Sequence, residues 1–160
     1  MTGRTALRHY TAAVILAFSA PLNWAQSAPH TTVEADKLTG AALPSLSKGE
    51  QIAVIEGPMN EAVPFTVRLK FPANSRTPPH WYPAVERVIV LSGTFNMGRG
   101  DSFDSAKTHA VNIDGMAIMP AKSNHFAWTA GEIAVQLHGT GPWGITHGNS
   151  ADDPRTKQLS

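Results

Sequence analysis

The pattern of apolar and polar residues predicts a chain built from short β-strands. The segment Phe65–Phe71 alternates apolar and polar side chains at every position, which is typical of a strand with one buried face. The segment Glu86–Ser92 is rich in β-branched residues and almost continuously apolar, so we expect a strand that is covered on both faces. Gly93 ends this segment, and residues 94–97 predict the returning strand of a hairpin.

Further short strands are predicted toward the C-terminus, and glycine, proline or polar residues separate most of them. They are His109–Ile113, Met116–Met119, His125–Thr129, Ile133–His138 and Gly144–His147. Closely spaced short strands, without a helix-length periodic segment after the N-terminal region, favour a β-sandwich or a β-barrel. We expect this domain to span residues 51–148, with an arm at residues 29–50 before it and a flexible polar tail at residues 149–160 after it.

The first residues of the chain have a different composition. Arg4 and Arg8 precede an apolar run from Thr11 to Ala20, and small and polar residues follow as far as Ala28. A basic start, a short apolar stretch and then small residues is the layout of a secretory signal, although an N-terminal core helix is the alternative. The run is too short to cross a bilayer of roughly 30 Å as a stable helix. We therefore expect a signal peptide at residues 1–28, and a periplasmic or secreted protein with no membrane span once the signal is removed.

Composition narrows the classes of function. A chain of 160 residues with 42% hydrophobic residues is large enough to bury the core of one domain. Its net charge of +1 gives no electrostatic reason to expect a nucleic acid or an anionic membrane surface as a partner. The chain has no cysteine, which excludes disulfides, thiolate metal sites and a cysteine nucleophile.

Side chains with metal-binding chemistry occur at two places. His80, Tyr82 and Glu86 share one parity, so an extended backbone would project all three from the same face. An imidazole, a phenol and a carboxylate that converge there would suit a transition metal, whereas a surface loop with incidental polar residues is the alternative. The second place is His125, which follows Pro120; alone it is equally consistent with a hydrogen-bonded structural histidine.

Together these stretches resemble the two sequence motifs of the cupin family. The first motif has His-x-His, three or four residues, Glu, six residues and Gly, and His80, Glu86 and Gly93 keep this spacing. The second motif places a histidine at a set distance after a proline, and Pro120 and His125 keep it. The resemblance covers most of the chain after the signal, and it implies an all-β fold: a double-stranded β-helix, or jelly-roll barrel, in a single domain.

The chain departs from these motifs at four positions. Tyr82 stands where the second histidine of the first motif belongs. In the second motif, Asp114 and Lys122 stand at glycine positions, and Thr129 replaces an asparagine. The loss of a histidine removes one nitrogen from the set of metal ligands that the family provides.

The resemblance implies a site for a divalent transition metal (Fe, Mn, Zn or Ni) held by His80, Glu86 and His125, with Tyr82 at the fourth position. Tyr82 would ligate only as a phenolate, which needs a pKa lowered from its ordinary value of roughly 10. Without it, two histidines and one carboxylate leave open coordination positions, as in non-haem iron oxygenases. A third alternative is a site that has lost its metal and keeps only the pocket.

The resemblance also implies a pocket that acts on a small molecule, by chemistry of the dioxygenase, lyase or isomerase type, with Tyr82 and Glu86 as catalytic residues. The alternative is a non-catalytic cupin that binds a small ligand at a degenerate metal site. Gln136 and His138 share a parity on a late strand and are candidates to line the lumen, or else satisfied structural polar groups. A homodimer formed through exposed sheet edges is a further expectation from the resemblance.

Overall fold

A computed structural model gives the structure of residues 30–158, and the residues from Val33 onward form one compact unit. The signal peptide predicted for residues 1–28 lies outside these described residues. Within residues 30–158, no helix has the length and apolar character needed to cross a membrane.

The described part of the chain forms two five-stranded antiparallel sheets, and its only helical segments are short 3₁₀ turns. The strands are β1 (Gln51–Glu56), β2 (Pro64–Phe71), β3 (Arg76–Trp81), β4 (Glu86–Ser92), β5 (Phe95–Arg99), β6 (Thr108–Val111), β7 (Met116–Met119), β8 (His125–Trp128), β9 (Ile133–Thr140) and β10 (Thr146–His147). The order is β1-β2-β9-β4-β7 in the first sheet and β10-β3-β8-β5-β6 in the second. The predicted all-β barrel is therefore confirmed.

Alternation along the strands of the first sheet places one set of side chains in the core. Phe65 and Val67 of β2, and Val135 and Leu137 of β9, are each no more than 2% exposed. β2 and β9 pair over eight positions, so these apolar side chains form a continuous inward face. The period-2 pattern seen in the sequence of β2 thus corresponds to one buried face and one face toward solvent.

Strand β4 is buried on one face only, so the prediction that both of its faces are covered is wrong. Glu86, Val88 and Val90 face the interior, whereas Arg87 and Leu91 are exposed. The outward positions of β4 stay at least partly accessible, and residues 30–158 contain no α-helix of the kind that packs on both faces of a parallel sheet.

Strand β3 was not predicted as a strand from the hydropathy pattern. Two prolines, Pro78 and Pro79, lie inside it, and the register with β8 shifts between Thr77 and His80. Proline cannot donate a backbone hydrogen bond, so the pairing is interrupted there and the usual alternation is lost. The strand resumes regular pairing at His80, which lies opposite residues of both neighbouring strands.

The segments before β1 and after β10 each make hydrogen bonds to neighbouring parts of the chain. The arm is attached where Ala41 pairs with Ile52 through backbone hydrogen bonds of 2.8 and 2.9 Å. Residues 150–152 and 154–158, within the expected tail, form 3₁₀ turns. Arg155 donates a hydrogen bond of 3.2 Å to the carbonyl of Ile145, which connects this region to the segment before β10.

Two of the positions where the cupin motif has glycine keep the backbone conformation that favours glycine. Asp114 has φ of 65° and Lys122 has φ of 57°, both in the left-handed region. The backbone amide of Asp114 donates a hydrogen bond to the carbonyl of Val90, and that of Lys122 donates one to the carbonyl of Tyr82. The turns are therefore retained although the glycines are not.

Candidate metal centre

The structure brings His80, Glu86 and His125 together inside the barrel. One ligand atom from each residue lies within 4.8 Å of the others, and the three residues are only 3–4% exposed. His80 and His125 are directly paired across β3 and β8 of the second sheet. Glu86 begins β4 of the first sheet, so the group spans the space between the two sheets.

The route by which His80 and Glu86 meet differs from the expected one. Residues of one parity project from the same face only if the chain from Pro78 to Glu86 is a single extended segment. Strand β3 ends at Trp81 and β4 begins at Glu86, with bends between them. The two side chains therefore converge because two strands in different sheets face each other, and the assumption of one extended segment is wrong.

Both histidines are oriented by the same local hydrogen bond. The ring Nδ1 of His80 lies 2.7 Å from the carbonyl oxygen of Pro78, and Nδ1 of His125 lies 2.9 Å from that of Ser123. A carbonyl oxygen only accepts hydrogen bonds, so Nδ1 of each ring carries a proton, and a ring that is neutral then has its lone pair on Nε2. Metal-bound histidines characteristically have their second nitrogen held in this way.

Glu86 and His125 meet in a contact that a cation would satisfy. Nε2 of His125 lies 3.0 Å from the buried Oε2 of Glu86, which has no other hydrogen-bond partner within the described residues. In the neutral ring, whose proton is on Nδ1, the Nε2 lone pair of His125 faces an oxygen lone pair of Glu86, and a proton or a metal ion between the two atoms removes this repulsion. A metal ion between two imidazole nitrogens and a carboxylate oxygen would be ligated by all three, so these residues fit a divalent transition metal.

The pKa of His80 favours the neutral imidazole that a metal requires. Burial lowers the pKa of His80 to about 3, and the nearby His125 adds to this effect. Burial raises the pKa of Glu86 above its ordinary value, against the lowering effect of His125. His80 is thus uncharged at neutral pH and available as a ligand without losing a proton.

Tyr82 lies beside the group and is held by an aromatic neighbour. Its ring centroid is 5.3 Å from that of His80 and 6.0 Å from that of His125. The ring stacks on Trp143 with centroids 4.2 Å apart and planes at 15°. Burial, together with the charges of Glu86 and Glu50, raises its pKa well above 10. Tyr82 therefore borders the centre as a neutral phenol, and its surroundings oppose the phenolate that ligation would need.

Gln136 and His138 do not line the lumen. They lie on the outer face of β9, because the inward positions of this strand are taken by residues such as Val135. Arg68 donates a hydrogen bond of 2.8 Å to Gln136, and Thr66 lies 3.2 Å from His138. These contacts form a polar row between β2 and β9, so the structure favours the alternative of satisfied structural polar groups.

His147, which no sequence pattern singles out, lies beside the same group of residues. It lies on β10, directly opposite His80 on β3, with ring centroids 6.2 Å apart. The strand was predicted, but a single histidine in a two-residue strand carries no periodic signal. Only the pairing of β10 with β3 reveals its place beside the centre.

The centre borders a small cavity, here called the inner cavity, which shares lining residues with a larger one, the outer cavity. The inner cavity has a volume of about 40 Å³. Its ionisable lining residues are Glu50, His80, Tyr82, Glu86, His125 and His147. The outer cavity has a volume of about 260 Å³ and is mostly apolar. The residues that border both cavities are Ser45, Leu46, Leu69, Tyr82 and Ile145.

Solved structures with the same fold share little sequence with this chain. The polyketide cyclase RemF from Streptomyces resistomycificus is 15% identical, with a TM-score of 0.65 over 82% of this chain and 94% of that chain. An RmlC-like cupin from Shewanella frigidimarina is 10% identical, with a TM-score of 0.56 over 71% and 94%. An oxalate oxidase in complex with the substrate analogue glycolate is 21% identical, with a TM-score of 0.55 over 80% and 68%.

No protein-family model and no curated protein matches this sequence. At these low identities the structural likenesses show the fold and leave the activity open.

Proposed function

We propose that this chain, whose fold is that of the cupin superfamily, is a metal-dependent protein that acts on a small molecule inside its barrel. In this proposal a divalent transition metal is held by His80, Glu86 and His125. The observation that carries it is the arrangement of the two histidines: both rings have Nδ1 hydrogen-bonded to a carbonyl, and Nε2 of His125 lies 3.0 Å from the buried carboxylate of Glu86.

Each side chain at the centre has a different role in this proposal. A bound metal would supply Lewis acidity to an oxygen-bearing substrate or a site for dioxygen. Glu86 provides the carboxylate that would bind the metal at the reacting centre. Tyr82, as a neutral phenol at its edge, donates a hydrogen bond to the substrate or exchanges a proton with it. The chemistry is of the dioxygenase, lyase or isomerase type.

The two cavities indicate the kind of molecule that fits. The inner cavity, of about 40 Å³, has room only for a few atoms at the metal. The outer cavity, of about 260 Å³, is bordered by apolar side chains such as Leu46 and Ile145, which it shares with the inner one. A substrate with an oxygen-bearing head at the metal and an apolar body in the outer cavity would match both.

Elemental analysis by mass spectrometry of the purified full chain tests the metal centre. We expect near-stoichiometric metal in the wild type and its loss in His125→Ala, because this change removes one imidazole ligand. His109→Ala is the matched control, since His109 is exposed on β6. Metal retained in His125→Ala would contradict the proposed ligand set.

A second candidate function is supported by Tyr82 at the position where the cupin motif has a histidine. A chain that has lost this ligand would bind a small molecule in the pocket without turning it over. A wild type without metal, beside a Tyr82→His variant that binds it, would favour this non-catalytic alternative. A lack of metal in both proteins would exclude the metalloenzyme.

We also propose that the protein is exported, on the basis of the basic, apolar and small-residue segments within residues 1–28. The expected outcome of expression in a bacterium with a periplasm is a product there that lacks this segment. Mass measurement of the intact periplasmic protein tests this, and a full-length cytoplasmic product would contradict it.

Edge strand β7 supports a proposed homodimer. It ends its sheet and carries Met116 and Ile118, which are 52% and 60% exposed. Apolar side chains on an open edge are covered when a second copy pairs with it. The molar mass in solution tests this: Ile118→Lys should yield monomers, whereas Val54→Lys, at the exposed opposite edge strand β1, should not.

A further inference from the structure

Three histidines form a row across adjacent strands of the second sheet. His147 of β10 pairs with His80 of β3, and His80 pairs with His125 of β8. Directly opposite residues on neighbouring strands project from the same face of a sheet. All three rings accordingly line the inner cavity, whose opposite wall includes Glu86.

His147 differs from the other two histidines in its hydrogen bonding. His80 and His125 each have Nδ1 held by a backbone carbonyl. Both ring nitrogens of His147 are buried, and neither has a partner within the described residues. A buried imidazole normally uses its donor and its acceptor, so this ring is available for a group that enters the cavity.

His147 lies next to the proposed metal ligands but is not one of them. It does not belong to the group of ligand atoms that lie within 4.8 Å of one another. Its ring centroid is nevertheless only 6.2 Å from that of His80. The cavity that both line is therefore where a small molecule would reach the metal and accept a hydrogen bond from the ring of His147.

We propose that His147 binds the exogenous ligand of the metal: it holds, by a hydrogen bond from its ring, the oxygen-bearing head of a small anionic substrate. This inference rests on the proposed metal centre. It assigns His147 to substrate binding, and it leaves His80, Glu86 and His125 as the metal ligands. The substrate class that follows is a small organic anion, such as a carboxylate or an enolate, because a neutral imidazole donates most strongly to a charged acceptor.

The test uses the full chain loaded with Co(II), with azide as the probe anion. The Co(II) content after dialysis measures metal binding, and the change in the visible absorption of Co(II) on titration with azide measures anion binding. The variants are His147→Ala and His147→Gln, with His109→Ala as the matched control because His109 is exposed on β6. Circular dichroism verifies that each variant is folded.

We expect His147→Ala to keep its Co(II) and to bind azide roughly tenfold more weakly, as for the loss of one hydrogen bond to a charged group. His147→Gln should recover part of the affinity, because an amide still donates. Unchanged azide affinity in His147→Ala would overturn the inference, and so would loss of Co(II), which would make His147 a metal ligand. A wild type that binds no Co(II) at all would instead overturn the proposed metal centre, and the inference with it.

Discussion

Nε2 of His125 lies 3.0 Å from Oε2 of Glu86, although the two residues belong to different sheets of the barrel. The contact is almost fully shielded from solvent, and Oε2 has no other hydrogen-bond partner among residues 30–158. An uncompensated carboxylate in such a place is unfavourable unless a proton or a cation neutralises it. The contact between His125 and Glu86 is therefore where a proton or a metal ion is needed in the native protein.

Substitution of Tyr82 tests whether its side chain is a ligand of the metal. Its pKa is raised well above 10 and its ring is stacked on Trp143, so we expect a neutral phenol that does not ligate. Tyr82→Phe should therefore keep the metal affinity of the wild type. Tyr82→His should increase the affinity, on the order of tenfold, because it adds a nitrogen beside His80 and His125. Competition with a chromophoric chelator measures both, and loss of metal in Tyr82→Phe would show that a phenolate is a ligand.

Glu50 predicts a pH dependence of stability. It is 3% exposed, and its carboxylate accepts hydrogen bonds from the hydroxyl of Ser75 at 2.7 Å and the amide of Ser47 at 3.0 Å. Burial outweighs these bonds and raises its pKa above 4.5. Between 4.5 and the raised value, the folded state binds more protons than the unfolded state, so the Glu50 contribution to stability falls as pH rises.

Comparison of the wild type with Glu50→Gln isolates this contribution, since glutamine does not titrate. The free energy of unfolding of the wild type, relative to that of the variant, should be highest below pH 4.5 and should decrease as pH rises through the raised pKa. Urea unfolding across this pH range measures the difference. Ser75→Ala is the control, because it leaves a titrating carboxyl in place; parallel curves for wild type and Glu50→Gln would contradict the prediction.

Trp143 connects the core to the edge of the metal centre. Its indole stacks on Tyr82 at 4.2 Å and meets Phe65 edge-on at 5.0 Å. Trp143→Ala should destabilise the fold by about 2 kcal/mol, since a partly buried aromatic side chain and two ring contacts are lost. Trp143→Phe should retain most of the stability. Denaturant unfolding measures both, and a loss below about 0.5 kcal/mol in Trp143→Ala would mean that these contacts contribute little.

Lys122 has a left-handed backbone that glycine adopts without strain. With φ of 57°, it occupies a position where a β-branched residue is strongly disfavoured. Lys122→Gly should be at least as stable as the wild type, because relief of roughly 1 kcal/mol of strain offsets the added freedom of the unfolded chain. Lys122→Val should be destabilised by about 1–2 kcal/mol. Thermal unfolding of the wild type and both variants tests this, and a Lys122→Val variant that melts at the same temperature as Lys122→Gly would refute it.

Strands with a clear local pattern could be predicted from the sequence. β4 and β7 begin and end at the predicted residues, since β-branched and apolar side chains continue up to the turn residues that bound them. β3 could not be predicted in this way, because Pro78 and Pro79 interrupt both its pattern and its pairing. It is nevertheless the strand that carries His80.

The candidate site was predicted in part. The spacing shared with the cupin motifs identified His80, Glu86 and His125, and the structure brings these three together. The parity of β9 left open which of its faces is the lumen, and Gln136 was considered there. The structure turns this residue to the outer face, where it pairs with Arg68.

Local alternation of side chains by itself determined that this chain forms strands, and the motif spacing determined which residues are candidate ligands. Only the tertiary structure decided which face of each strand is buried and which distant strands are neighbours. His147 shows the reason: it lies beside His80 because backbone hydrogen bonds pair β10 with β3 across a long stretch of chain. Such a register depends on the closure of the whole barrel, and no local pattern encodes it.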